Sequence, residues 1–557
     1  MTAEPSANST AAERREQAFE RLSADTFDVL IVGGGIAGAG AAREAARRGL
    51  RTALVERQDL ASGTSSRSSK LVHGGLRYLE QFAFSLVFEA VSERRVLQDI
   101  APHLVRPLPF LFPIYASSGR SPFVIDVGMW IYDALSLFRS PRLHRKLRPR
   151  DVLLEEPRLL AEELRGASLY YDCATDDGRL TLETAIDAAL AGAVVCTYAT
   201  VTELKEAGGR ACGAIIRDGL SDRICDVSAR SVINTTGPWT DALRGQATPL
   251  VRPTKGIHIV VDHERLPVNH AVVLTHPEDR RALFAIPWGD RTYVGTTDTD
   301  YDGDPGEVCA DAEDVSYCLD AANRFFPDVS LVTDDVISTW AALRPLIAEE
   351  GMPSSLSREH VVLVEPNGLV TLAGGKLTTY RRMAIDVVEQ ALSLLRITGK
   401  VPELKSSKTD AAQLPGGEGW PDDDDVATFS TRVAESSGGH LSPGPSRHLA
   451  EVYGGRALEL ARRVATDPSL GKPIIDGRPE IWAQVDWACD EELAQTVLDV
   501  LVRRTTIFLK SRCQGLSALD AVSDRMAIRL GWDGERVQQE RERYRAEVAR
   551  SRRWREA

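Results

Sequence analysis

The sequence predicts an α/β protein in which a Rossmann-type nucleotide-binding domain is joined to a β-rich domain and then to an all-helical one. Three observations carry this. An apolar strand, Phe27–Val32, runs into a glycine turn and an alanine-rich helix at about Ile36–Arg48, and a second apolar run, Thr52–Val55, ends on Glu56. The stretch from Ile257 to Asp300 is rich in Val, Ile and Thr and reads as a β meander. Beyond about Ser442, helical spacing takes over, as in Leu493, Val497, Leu498, Leu501 and Val502.

Taken in order, residues 1–26 read as a polar tail with a short helical stretch around Ala12–Leu22. They lack the apolar core of a secretory signal, so none is expected. In the turn that follows, Gly33 permits the sharp bend, Gly35 lets backbone approach a pyrophosphate, and Gly38 lets helix and strand pack closely. The first amides of the helix have no partner within it and form an anion site. Glu56 falls where a carboxylate accepts hydrogen bonds from ribose hydroxyls, and it would repel a 2′-phosphate, which argues against NADP.

From Arg57 to Tyr78 the chain carries Thr64-Ser65-Ser66-Arg67-Ser68-Ser69-Lys70 and then His73-Gly74-Gly75-Leu76-Arg77-Tyr78. Small residues here either wrap a planar cofactor or form a plain surface loop. Ser121–Phe138 is apolar, and a basic run follows with Arg139, Arg142, Arg145, Lys146, Arg148 and Arg150. This is either a helix resting on anionic lipid or a core helix beside a solvated loop. Strand-like runs at Val194–Thr197 and Ser231–Asn234 imply that the first domain is assembled from separated pieces of chain. Thr235–Trp239, with Gly237, is a ligand-facing strand end or an ordinary turn.

His258, in Lys255-Gly256-Ile257-His258, is either a satisfied structural residue or a base. Arg344 and Arg358 draw no notice alone, but with Arg77 and Lys376 they would make a cationic cluster fit for phosphate, provided folding gathers them. The strand-like block Val361–Ala373 ends in Gly374-Gly375-Lys376-Leu377-Thr378 and a helix to about Leu395, a second strand–glycine–helix unit. A polar linker containing Pro415 and Asp422–Asp425 precedes the helical part.

With 557 residues, two or three domains are expected. A net charge of -13 argues against a nucleic-acid partner. Eight dispersed cysteines without a CxxC pair disfavour a zinc or iron–sulfur site, and no metal is expected. No run of 18 uncharged apolar residues predicts a transmembrane helix.

VGGGIAGAG, SSRSSKLVHGGLRYLE, KGIHIVV and LAGGKLTTYRRMA occur in that order, and together they resemble the FAD-dependent glycerol-3-phosphate dehydrogenases of the aerobic, quinone-linked type. The likeness runs from about residue 25 to the C-terminus and includes Arg503-Arg504-Thr505. It implies an α/β Rossmann-type FAD-binding domain (27–106, 176–255 and 340–400), an antiparallel-sheet substrate domain (107–175 and 256–339) and a C-terminal all-helical domain (401–557). It further implies noncovalent FAD and oxidation of sn-glycerol 3-phosphate to dihydroxyacetone phosphate by hydride transfer to flavin N5. Electrons would pass to a membrane quinone from a cytoplasmic enzyme held peripherally on the inner face of the membrane, usually a homodimer.

By the same resemblance His258, Arg344 and Lys376 are catalytic, and Arg77, Tyr78, Arg344, Arg358 and Lys376 bind the substrate phosphate; Arg358 is the loosest match. Cofactor contacts fall to Gly33, Gly35, Gly38, Glu56, Arg57, Thr64, Ser65, Ser66, Ser68, Gly74, Gly75, Gly237, Gly374, Gly375, Leu377 and Thr378. The rivals are an oxidase of the same substrate using O2, an amino-acid or amine oxidase on the same fold, and a non-catalytic flavin-binding protein.

Overall fold

The computed structural model describes residues 10–76, 79, 82–118, 121–137, 140–348, 359–399, 401 and 403–556. Arg77, Tyr78, Arg139 and Arg358 therefore lie outside the described residues.

The strand-like runs line up in one largely parallel sheet. Its order is His360–Val364, Val370–Gly374, Ile224–Asn234, Thr26–Val32, Thr52–Val55 and Val194–Cys196, with only the first strand of that path antiparallel. Side chains alternate across a strand, so Thr26–Val32 feeds two cores. Val29 and Ile31 pack under the helices Ile36–Arg47, Asp177–Leu190 and Tyr380–Thr398. Leu30 and Val32 face the other way, onto the hairpin Ala199–Ala207/Arg210–Asp218 and the helix Ala11–Ala24.

That first helix matches the helical stretch read around Ala12–Leu22 but corrects the reading of residues 1–26 as a polar tail. Phe19 and Leu22 are buried against the sheet, and Arg15 forks onto Asp218 with two 2.8 Å contacts beneath the surface. Its polarity is that of an amphipathic helix with one stripe buried.

The meander is present in a second, ten-stranded sheet. Val251–Asp262 lies between Arg291–Gly295 and Val336–Ile347, both antiparallel to it. Ala282–Trp288, Ala271–Thr275, Arg106–Tyr115 and Leu164–Ala174 extend the sheet, and Leu71–Val72 closes its edge. Val336–Ile347, which spans the boundary drawn at residue 340, pairs along its length with this sheet. A continuous apolar run marks a buried strand without saying which sheet receives it.

The C-terminal part is helical and packs against the second sheet. Ser338 Oγ donates to Leu509 O at 2.6 Å and Arg291 Nε to Lys510 O at 2.8 Å. The segment read as a linker is tied down: Arg43 donates to Thr409 O (2.9 Å) and Ala412 O (2.6 Å), and Gly416 N–H to Glu183.

Candidate active site

At the carboxyl ends of the parallel strands lies a cavity of about 820 Å3, within the usual size range of cofactor sites. Its floor is the first glycine turn. Gly33 sits at φ +109, and a Cβ there would come 2.7 Å from the Thr235 carbonyl oxygen. A Cβ on Gly38 would overlap the Gly33 carbonyl oxygen, so Gly38 packs helix to strand and does not line the cavity. Gly35 faces only Ser65 Oγ, which accepts a 2.9 Å bond from Ile36 N–H. Glu56 is fixed by Gly34 N–H (2.6 Å) and Gln58 N–H (2.9 Å). Burial pushes its carboxyl above the ordinary range, against the pull of those two donors.

Arg57, Thr64, Ser65, Ser68 and Gly237 line the cavity, as do Gly374, Gly375, Lys376 and Leu377 of the second glycine turn. Arg57 lies 4.1 Å over the Trp239 ring. Gly375 needs its left-handed backbone (φ +86), and a Cβ there would come 2.5 Å from Met383 Sδ. Thr378 joins this turn to the His73–Gly75 segment: its hydroxyl accepts from His73 N–H (3.2 Å) and donates to His73 O (3.3 Å). Five predicted contacts are not in the lining: Gly38, Thr378, Ser66, Gly74 and Gly75. Ser66 Oγ is spent on Ala61 O (2.8 Å), Gly74 is packed under Tyr132, and Gly75 follows it at φ +76.

His258 is one residue away from the cavity wall. Its Nε2 meets Ser69 Oγ at 2.9 Å, and its ring stacks on Trp340 at 4.6 Å. Burial, with Arg344 and Lys70 adding, drives its pKa well below the ordinary value, so the imidazole is neutral. Arg344 is held in advance by Asp298 (3.1 Å), Thr296 Oγ1 (2.9 Å) and Thr297 O (3.0 Å), and its guanidinium lies across Gly256, where a Cβ would not fit.

Two supports lacked any sequence signal. Fully buried Asp177 accepts from Ser68 N–H (2.9 Å), Ser68 Oγ (2.7 Å) and Lys70 Nζ (2.6 Å), and so fixes the loop that carries Ser69. Asp59, just past Glu56, is gripped by Arg503 and, through contacts of 2.7 and 2.8 Å, by Arg504. Both arginines lie in a π-helical turn, Asp499–Arg504, a geometry frequent at functional positions. No cluster of three or more His, Cys, Asp or Glu suited to a metal occurs among the described residues.

Residues 28–381 match the FAD dependent oxidoreductase family, and residues 407–537 the C-terminal domain of alpha-glycerophosphate oxidase. A curated relative, glycerol-3-phosphate dehydrogenase 2 of Mycobacterium tuberculosis, is 38% identical over 96% of this chain and 90% of its own. Alpha-glycerophosphate oxidase of Streptococcus pyogenes is 36% identical over 95% and 96%. The crystal structure of glycerol-3-phosphate dehydrogenase from Bacillus halodurans, complexed with FAD, superposes with a TM-score of 0.79 at 31% identity, covering 97% of this chain and 98% of that one. The 820 Å3 cavity fits FAD, with a pyrophosphate-ready glycine turn, an acidic ribose acceptor at Glu56 and two glycines where the second glycine turn must come close. The chain belongs to the FAD-dependent glycerol-3-phosphate dehydrogenase family.

Proposed function

We propose that this chain oxidises sn-glycerol 3-phosphate to dihydroxyacetone phosphate and delivers the electrons to a membrane quinone. The observation that carries the reading is the junction of cavity and base: Ser68 lines the cavity, and Ser69 holds a neutral, desolvated His258. When bound, FAD would supply the hydride acceptor for the oxidation at substrate C2. His258, uncharged and oriented by Ser69 and Trp340, accepts the proton of the C2 hydroxyl. Its depressed pKa keeps it in the accepting form at neutral pH. Arg344, already aligned by Asp298 and Thr296, and Lys376 in the cavity lining receive the phosphate dianion. Arg77, Tyr78 and Arg358 complete that set in the proposal.

The quinone half of the reading is supported by a surface. The helices Phe84–Ile100 and Pro122–Leu135 pack together and leave Phe82, Phe88, Phe123, Val124 and Trp130 exposed, Phe123 at 70% and Phe82 at 77%. Beside them, Arg142, Arg145, Lys146, Arg148 and Arg150 are exposed. Apolar side chains flanked by cations suit an anionic lipid surface. No helix among the described residues is long and apolar enough to cross a membrane. A second reading, transfer to O2 with release of peroxide, is favoured by the likeness to the streptococcal oxidase.

Steady-state turnover of glycerol 3-phosphate separates them. A quinone analogue in anionic vesicles should sustain turnover with little peroxide, whereas rapid peroxide release without added acceptor makes the chain an oxidase. Phe123→Asp with Trp130→Asp should abolish vesicle co-sedimentation, and unchanged co-sedimentation removes the membrane assignment.

A further inference from the structure

A second cavity, of about 400 Å3, adjoins the first where the flavin loop, the antiparallel sheet and the C-terminal helices meet. Six arginines line it: Arg57 and Arg67 from the flavin loop, and Arg503, Arg543, Arg550 and Arg553 from the C-terminal helices. Only two carboxylates, Glu307 and Glu547, share that lining. Two of the arginines are neutralised locally. Arg503 pairs with Asp59 and Asp499, and Arg550 forks onto Glu547 at 2.7 and 2.9 Å. The remaining four are poorly compensated. Arg553 reaches Glu307 only at 4.0 Å, and Arg543 reaches Glu540 only at 3.9 Å. Arg57 rests on the Trp239 face. The Arg67 side chain makes no hydrogen bond or ion pair among the described residues. Burial and the fields of Arg550 and Arg503 depress its pKa, with Glu547 opposing them.

Guanidinium groups gathered around a half-enclosed space repel one another unless an anion joins them, and their planar forks match phosphate oxygens. The surplus of about three to four charges is that of a diphosphate or triphosphate group rather than a single carboxylate. The volume lies in the range of small-molecule sites. This cavity is distinct from the dinucleotide site, whose pyrophosphate end is the Gly33–Ile36 turn, although Arg57, Gly63, Thr64 and Trp239 form a wall common to both. We propose that the arginine-lined cavity between the flavin loop and the C-terminal helices is a second anion site, one that takes a small multivalent phosphorylated ligand of the diphosphate type.

The test is calorimetric titration of inorganic pyrophosphate into the FAD-loaded protein at low ionic strength, with flavin absorbance followed to show that FAD stays bound. Expected is one site per chain, weakened by added chloride. Arg67→Gln and Arg553→Gln should each weaken it about tenfold, the scale of one charge-assisted hydrogen bond. Arg344→Gln, outside this cavity, should leave it intact. Absence of binding at millimolar pyrophosphate overturns the proposal, as does affinity unchanged in both Arg67→Gln and Arg553→Gln. Binding lost in Arg344→Gln also overturns it, by placing the anion in the substrate site. Should Arg67→Gln fail to retain FAD, Arg553→Gln decides alone, since its side chain is 55% exposed and peripheral to the fold.

Discussion

Asp177→Asn should loosen FAD without touching it. In the native loop the Asp177 carboxylate takes four donors: Ser68 N–H and Oγ–H, Lys70 Nζ and Gly178 N–H at 2.9, 2.7, 2.6 and 3.0 Å. Lys70 is buried, its side chain only 5% exposed. The amide removes the compensating charge and can turn its own N–H2 towards donors. Breaking a buried pair from one side costs about 3–5 kcal/mol. The lower end applies, because Lys70 keeps Ser66 O at 3.1 Å and cation–π contacts with Trp340 and Trp288 at 5.5 and 5.7 Å.

The cheapest relief is for the loop 64–70 to leave its seat and wet Lys70. FAD must then close that loop before binding, so a cost of about 3 kcal/mol becomes a loss of about two orders of magnitude in Kd. Flavin fluorescence on titrating the apoprotein measures this, and hydrogen exchange of residues 64–75 reports the opening. Lys70→Met combined with Asp177→Leu removes both charges and should recover most of the affinity. A Kd for Asp177→Asn within threefold of wild type, or a double variant no tighter than the single, would refute the reasoning.

Gly38→Ala should yield apoprotein, because its Cβ has no room beside the Gly33 carbonyl; the flavin-to-protein absorbance ratio of the purified chain checks it. His258 has a folded pKa below its unfolded value of about 6.5. Between the two values the unfolded chain binds more protons, so stability rises with pH up to about 6.5 and is flat above it. Melting temperatures from pH 5 to 8 should show that slope in wild type and less of it in His258→Gln. As base, His258 also predicts kcat/KM that stays level on acidification through pH 6.5, with a loss of about 10²–10⁴-fold in kcat for His258→Gln. At Cys513 burial opposes ionisation, but the Ser511 and Ser517 hydroxyls and nearby backbone N–H groups outweigh it and bring the thiol down to about 7. Iodoacetamide labelling there should rise with a midpoint near that pH, and a midpoint near 9 would contradict the assignment.

The sequence makes the parallel sheet legible because its strands contain short apolar runs, two of them, Thr26–Val32 and Val370–Gly374, ended by glycine turns, a pattern set by local chemistry. Glu56 and the turn at Gly33, Gly35 and Gly38 are legible for the same reason: the spacing itself is the site. The supports are not. Asp59 and Arg504 are 445 residues apart, and although Arg503-Arg504-Thr505 belongs to the resemblance, nothing local marks Asp59 as its partner. Asp177 resembles an ordinary first-turn acid of a helix, and only folding shows that it faces Lys70. Strand Val336–Ile347 is not legible, because what makes it a strand is its pairing with Val251–Asp262, far away in the chain. The helix Pro122–Leu135 left two options open; it buries Met129 and Tyr132 and leaves Phe123 and Trp130 exposed, a split that the apolar run alone does not reveal.

The central claim, that the His258 side of this cavity oxidises a phosphorylated polyol, is tested most directly without any electron acceptor. Purified holoprotein is mixed anaerobically with sn-glycerol 3-phosphate while oxidised-flavin absorbance is followed. The account predicts rapid bleaching with this substrate and far slower bleaching with glycerol, which lacks the phosphate for Arg344 and Lys376. Flavin that stays oxidised with glycerol 3-phosphate but bleaches with amines or amino acids would contradict it.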